Sequence, residues 1–332
     1  MPPAIPRGWR CAFLIPTMRN TFFMLILLLA LAPDALAGKR LDIELQSAQQ
    51  ALAAGNYKKA YALYSRHAAH NPLAQFTLGL FYRNGWGRPH DETKACRWFE
   101  KAASGNIPAA QQLFGDCLAK GTGQPADGKA AVAWYRKAAA NGIAYALCSA
   151  GDVYIKGQAV GKDMKQGLAL CAQAAQADSP SAMLRLADYY REGTDVPQNL
   201  AASRYWYQQA AERHVHEAQY RLGVMLSEGQ GGGPDPNTAL FWLETAAGEG
   251  YAPAYLPTAI LYANATPDPK TGALAPEYLA KIYLWNSAAK ARTTAPAQIA
   301  EISRIEAMVL AVMPPEWKPE LDKKVAAHLA KY

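Results

Sequence analysis

Between Ala74 and Ala103, apolar residues return at steps of three and four on either side of a Gly-rich break. The first stripe holds Ala74, Leu78, Gly79 and Tyr82, and the second holds Ala95, Trp98, Phe99, Ala102 and Ala103. Between them lie Gly85, Gly87 and Asp91. The pattern predicts two short helices joined by a turn in which glycine supplies the positive φ that ends the first helix. Neither helix can bury its stripe alone, so the hairpin needs like neighbours stacked on it. An alternating strand pattern appears nowhere in the chain, and the expectation is all-α.

Those neighbours follow in the sequence. Counting from Gly79, the small position recurs at Gly115, Gly151, Ala187 and Gly223, each a step of 36 residues. The turn glycine keeps the step at Gly121, Gly157, Gly193 and Gly229, and the bulky position keeps it at Trp134, Leu170, Trp206 and Trp242. A small residue in the first column lets two helices approach, and the aromatic column is expected to fill the groove between them. Ala-Ala pairs from Ala102-Ala103 to Ala246-Ala247 seat each hairpin on the next.

The pattern A-x3-L-G-x2-Y-x2-G-x-G-x3-D-x2-KA-x2-WF-x-KAA is joined by AWYRKAAANG from Ala133 and RYWYQQAA from Arg204. Together they resemble the Sel-one-like repeat (SLR), a relative of the tetratricopeptide repeat. The resemblance implies an all-α, right-handed solenoid of stacked helix hairpins, about six repeats over residues 72–290. The last repeat carries the loop insertion NATPDPKTGALAPE. Residues 38–71 read as a diverged N-terminal hairpin and residues 291–332 as a C-terminal helical cap. By fold-level analogy the resemblance also implies a non-enzymatic scaffold without a cofactor. Such a scaffold binds a partner protein or peptide through its concave face, in an envelope, secretion or signalling complex of a bacterium.

Residues 1–37 read as a targeting segment. Arg7, Arg10 and Arg19 precede an apolar run from Thr21 to Ala32, and Ala35-Leu36-Ala37 follows. This is the layout of a secretory signal peptide cleaved after Ala37, and a start at Met18 would make it more typical. The run is short for a membrane span, so export to the periplasm or medium, with no integral span after cleavage, is expected. Half the chain is apolar, 51%, and the net charge is +7. Two of those charges fall within the targeting segment, and the mild remainder forms no basic stripe interleaved with aromatics. Nucleic acid is therefore excluded as a partner.

Export would place Cys96, Cys117, Cys148 and Cys171 in an oxidising compartment, where four cysteines allow three pairings. Cys148 and Cys171 sit on the two helices of repeat three, Cys171 in the aromatic position, so a bridge replacing the ring is the first candidate. Cys96 and Cys117, on adjacent helices of repeats one and two, are the second. Buried free thiols are the alternative. The resemblance implies hairpin-stapling disulfides of this kind.

The residue after the small position is Asp116, Asp152 and Asp188 in repeats two to four, with Lys120 and Lys156 at i+4 and Arg191 beside Glu192 in the matching turn. By analogy with tetratricopeptide arrays this column faces the concave groove. At the ends the same column is Leu80, Val224 and Ile260. Two readings stand: surface i,i+4 ion pairs worth about 0.3–0.5 kcal/mol each, or a charged strip with apolar flanks suited to an extended peptide. Tyr145 and Tyr220, expected on the same face, suit stacking on sugars, which makes a cell-wall or polysaccharide-binding module the second functional class.

Two strings match acyl-serine enzymes, Ser287-x-x-Lys290 and Lys270-Thr271-Gly272. Their order is reversed and no sheet is predicted to carry the second. A β-lactamase-like or penicillin-binding activity is thus a distant third class, predicting acylation of Ser287. His214-Val-His216-Glu217 lacks a helix-face spacing, His67 and His70 stand at i,i+3 on a helix, and no metal is expected of either.

Overall fold

The computed structural model describes residues 45–332, and the targeting segment lies outside them. The chain divides into two compact units, Met1–Ile107 and Pro108–Tyr332. Among the described residues there are helices and turns and no strand. This is an all-α helical-repeat fold.

In the first unit, residues 45–53 are helical and are followed by α1 (Tyr57–His67), α2 (Pro72–Asn84) and α3 (Glu92–Ser104). Its core joins Leu45, Ala48, Tyr64, Leu78 and Phe81, and burial pushes the Tyr64 hydroxyl up to about 12. The buried Asn71 starts α2 by accepting the Leu73 and Ala74 N–H groups at 3.0 and 3.1 Å. At the opposite end of that hairpin, Arg88 lies over the Tyr61 ring, 3.0 Å from its centre.

The second unit continues the alternation. Repeat two is α4 (Pro108–Lys120) and α5 (Gly128–Ala140); repeat three is α6 (Ala146–Lys156) and α7 (Met164–Gln176). Repeat four is α8 (Pro180–Glu192) and α9 (Leu200–Ala211), and repeat five is α10 (His216–Glu228) and α11 (Pro236–Gly248). Then come α12 (Tyr255–Ala263), α13 (Pro276–Arg292), α14 (Pro296–Val312) and α15 (Lys318–Lys331). Each second helix of repeats one to five starts the same way: Asp91, Asp127, Asp163, Asn199 or Asp235 accepts the N–H three residues on, at 2.9–3.0 Å. Such a cap contributes about 1 kcal/mol. The turn glycines end the first helices in the left-handed conformation, as Gly157 does at φ 69°.

The ring that fills the space over the small column belongs one residue later than the sequence pattern suggests. A Cβ at Gly79 would strike the Phe99 ring, and one at Gly115 would stand 2.7 Å from the Tyr135 ring. The reason is helical phase: position 99 shares a face with the buried Ala95, Ala102 and Ala103. Trp98 and Trp134 are displaced to half-buried edges, where the Lys101 and Lys137 ammonium groups sit 4.7 and 4.9 Å from their ring centres. Repeat three solves the contact without a ring. Gly151 faces the Gly167 carbonyl with no room for a Cβ, and the fully buried Cys148 and Cys171 form a disulfide between α6 and α7.

The far end of this unit closes over Leu243, Tyr255, Ile282, Trp285, Ile305 and Leu321. Among the described residues no helix is long and apolar enough to cross a membrane.

Candidate functional site: an aspartate–tyrosine–arginine strip

The aspartate column is fastened by phenol groups. On α4, Asp116 accepts the Tyr135 hydroxyl from α5 at 2.6 Å. On α8, Asp188 accepts the Tyr207 hydroxyl from α9 at 2.6 Å, and the Tyr207 oxygen in turn accepts from Arg191 Nε at 3.0 Å. Both tyrosines stand 19 residues after their aspartate. In repeat three that position is Cys171, whose sulfur is committed to the disulfide. Asp152 therefore turns to the next repeat, taking Arg185 on one oxygen and the Tyr189 hydroxyl on the other, each at 2.6 Å from α8. Where the column is Leu80 or Val224, the matching second-helix residue is Phe99 or Leu243. Outside repeat three, acid and phenol come and go together.

The electrostatics follow from burial. The Tyr135, Tyr189 and Tyr207 hydroxyls are held far above the usual tyrosine range, by burial first and then by Asp116, Asp152 and Asp188 respectively. They are protonated donors at any physiological pH. The Asp152 carboxylate raises the Arg185 guanidinium, which keeps its charge despite being half-buried. Tyr145, beside the start of α6, lies within the field of the strip: its hydroxyl is raised by burial, lowered by Arg185, and raised again by Asp152, Asp116 and Asp188.

The structure thus gathers Asp116, Tyr145, Asp152 and Asp188, with Arg191 attached through Tyr207. It leaves out Lys120 and Lys156, which are exposed and join no ion pair among the described residues. Arg191 also donates to Glu192 at 3.1 Å. Tyr220 belongs to another neighbourhood, its ring 5.8 Å from Tyr251, with the Arg221 guanidinium 5.7 Å from it. Four members of the strip, Tyr135, Arg185, Tyr189 and Tyr207, are not singled out by the sequence reading. The first and last carry a sequence signal in the paired exchange of the two columns. Arg185 and Tyr189 carry none, because they act on a neighbouring repeat.

Cys96 and Cys117 are also disulfide-bonded. The acyl-serine strings do not converge on a site. Lys270-Thr271-Gly272 is a turn in which the Asp268 carboxylate accepts the Lys270 and Thr271 N–H groups at 2.8 and 2.9 Å. Ser287 lies inside α13, and the Lys290 ammonium is paired with Glu306 at 2.7 Å. His214 occupies a left-handed turn, φ 59°, that Gly142 and Gly250 occupy in other repeats. His216 pairs with Glu249 at 2.8 Å. Among the described residues no group of three His, Cys, Asp or Glu is placed to hold a metal ion.

The Sel1 repeat profile matches residues 72–107, 108–143, 144–179, 180–214 and 216–251. The chain belongs to the Sel1 repeat family. Among solved structures it is similar to a Sel1 repeat protein from Oxalobacter formigenes, at 27% identity and TM-score 0.55, over 75% of this chain and 100% of that one. It is also similar to a protective antigen of uropathogenic Escherichia coli strains that displays an SLR fold, at 24% identity and TM-score 0.38, over 85% and 71% of the two chains. An immunity protein from Pseudomonas aeruginosa is similar at 21% identity and TM-score 0.42, over 69% and 90%. No curated protein matches the chain.

Proposed function

We propose that this Sel1 repeat protein is an exported, non-enzymatic scaffold that holds an extended segment of a partner protein along the aspartate–tyrosine–arginine strip, the concave face of its solenoid. The observation that carries the reading is the fastening itself. Three carboxylates on successive first helices are each fixed by a phenol or guanidinium, so their charge is oriented before a ligand arrives and little side-chain entropy is lost on binding. An extended peptide meets such a ladder with its N–H groups and basic side chains, and Val224 offers an apolar contact beyond one end of the column. Catalysis is a poor fit, because the phenols are locked as donors and the acids are engaged by them. The N-terminal basic and apolar segment supports export, and disulfide-bonded cysteines support an oxidising compartment.

The test is capture of partners from an envelope fraction by the tagged, crosslinked protein, identified by mass spectrometry. It is run beside the triple variant Asp116→Asn/Asp152→Asn/Asp188→Asn. Asparagine keeps an oxygen for each hydroxyl while removing the charge. If each charge contributes about 0.5–1 kcal/mol to binding, the variant loses roughly tenfold to a hundredfold in affinity. Undiminished capture by a variant with an unchanged circular dichroism spectrum would overturn the proposal.

A further inference from the structure

The turn between α2 and α3 holds a cation in a seat that other repeats fill with an apolar group. Arg88 lies against the Tyr61 ring of α1, with its Cζ 5.0 Å from the Tyr82 ring centre and 5.8 Å from that of Phe81. In repeat four the same position is Val196, buried beside Ile155 and Tyr189, and in repeat three it is Val160. Tyr189 precedes Val196 by the same interval that separates Phe81 from Arg88. The turn is pressed onto α1: a Cβ at Gly87, φ 63°, would stand 2.8 Å from the Tyr57 Cβ. The Arg88 Nε is buried with no hydrogen-bond partner, and among the described residues the guanidinium joins no ion pair. Facing rings return part of the cost of burying a cation. An acid would return more, and the repeat supplies none.

The surroundings add charge of the same sign. The Lys94 ammonium stands 5.6 Å from the Tyr82 ring centre, and the Tyr61 and Tyr82 hydroxyls meet at 3.1 Å. That hydrogen bond first, and then Arg88 and Lys94, draw the Tyr82 hydroxyl below the ordinary tyrosine range. Acids in this unit are few. Asp91 caps α3 and pairs with Lys94 at 3.0 Å, Glu92 faces His90 at 3.1 Å, and Glu100 stands further along α3. Residues 45–107 carry eight Lys and Arg against three Asp and Glu, whereas residues 108–332 carry twenty-one of each. The positive excess of the described chain therefore belongs to the first unit alone.

We propose that Arg88 and Lys94 form a docking site for an acidic segment of a partner protein, with one carboxylate of that segment seated on the Arg88 guanidinium. The Tyr61 ring covers a face of the guanidinium and leaves its edge, whose parallel N–H donors match the two oxygens of a carboxylate. A bilayer would call for apolar side chains free to enter it, and a nucleic acid strand for open ring faces on which bases stack. Here Trp86 is stacked on Tyr57 at 6.1 Å and 10° and braced edge-on by Phe81 at 5.6 Å. These rings are committed to one another, and what the site offers a partner is charge. It lies in the first unit and the aspartate strip in the second, and the proposal does not depend on the strip's role.

The experiment is titration calorimetry of the purified protein in low-salt buffer with hexaglutamate blocked at both ends. Binding is expected, and it should weaken as salt is raised. Arg88→Met, which keeps the stem and drops the charge, should weaken it about tenfold or more. Arg88→Lys should recover only part of that, because an ammonium cannot take a carboxylate on two parallel donors. Lys94→Met, which leaves the seat intact, should weaken binding about threefold, and Lys331→Met, the same charge removed from the second unit, by less than about twofold. Arg88→Met should melt at or above the wild-type temperature, as the apolar residue in the same seat of repeat four implies. A marked fall in its melting temperature would make the guanidinium a packing group and overturn the proposal. So would the absence of hexaglutamate binding, or binding that Arg88→Met and Lys94→Met leave unchanged. Inorganic phosphate or phosphatidylglycerol vesicles bound through Arg88, with no hexaglutamate bound, would assign the site to a phosphate group or a lipid surface and overturn it as well. The strip's triple asparagine variant should bind hexaglutamate normally, which separates failure here from failure of the strip's peptide-binding reading.

Discussion

At the residue scale, the pairing of Asp188 with Tyr207 is the clearest case of a polar contact that replaces an apolar one. Tyr207 is fully buried apart from what its hydroxyl reaches, and that hydroxyl donates to Asp188 at 2.6 Å. Removing the acid alone leaves a buried donor unsatisfied, at a cost of about 1–3 kcal/mol. Repeat one shows the alternative, with Leu80 opposite Phe99. We therefore expect Asp188→Leu to lower the urea midpoint markedly, and Asp188→Leu/Tyr207→Phe to recover most of the loss. A double-mutant cycle with no coupling would place the stabilisation elsewhere. The aspartates themselves are legible from the 36-residue register, as is the phenol that pairs with two of them. Arg185 and Tyr189 are not, since they matter only because Cys171 vacates the phenol position in repeat three. Tyr145 and Tyr220 differ in register, six and three residues before Gly151 and Gly223. The structure accordingly gives them different neighbours.

At the scale of the element, hairpin α6–α7 departs most from its siblings. It holds neither a ring over its small residue nor a bulky residue at its second helix's small position, Gly167, so its two backbones meet directly. The Cys148–Cys171 bridge, spanning 23 residues, holds that approach. Chain-entropy reasoning assigns a bridge of this span about 3 kcal/mol. Cys148→Ala/Cys171→Ala should lose roughly that much in urea unfolding, and wild-type protein in reductant, which also frees Cys96 and Cys117, should fall at least as far. Intact-mass analysis of unreduced protein should show no alkylation at Cys96, Cys117, Cys148 or Cys171; four alkylated thiols would exclude oxidised staples. Helix boundaries and caps in this fold are readable from the sequence because they are set locally, by an Asp or Asn before each second helix and a glycine after each first. Which aromatic faces inward is harder to read. Trp98 and Phe99 are adjacent, both apolar, and only the phase shared with Ala95 and Ala102 decides between them.

At the scale of the whole molecule, the second unit ends in a latch that responds to pH. On α15, His328 shares a hydrogen bond of 3.0 Å with the Tyr255 hydroxyl, lies 5.3 Å from the Trp285 ring and meets the tilted Tyr332 ring at 5.2 Å. The Tyr332 ring sits over Gly250, where a Cβ would collide with it. Burial lowers the His328 pKa below 6.5, and the charges of Lys331 and Arg292 lower it further. The native ring is therefore harder to protonate than the same ring in the unfolded chain. Below about pH 6.5 the unfolded chain binds the extra proton and gains stability relative to the native one. Stability is thus lost as pH falls through that value, levels off below the native pKa, and is indifferent to this group in alkaline buffer. His328→Gln offers an amide to Tyr255 and does not titrate. Thermal melts of both proteins between pH 8 and pH 5 should show the wild-type midpoint falling more steeply than the variant's across the acid half of the range. Parallel curves would mean that His328 is not the group that loosens this end, and that the acid sensitivity arises elsewhere in the chain.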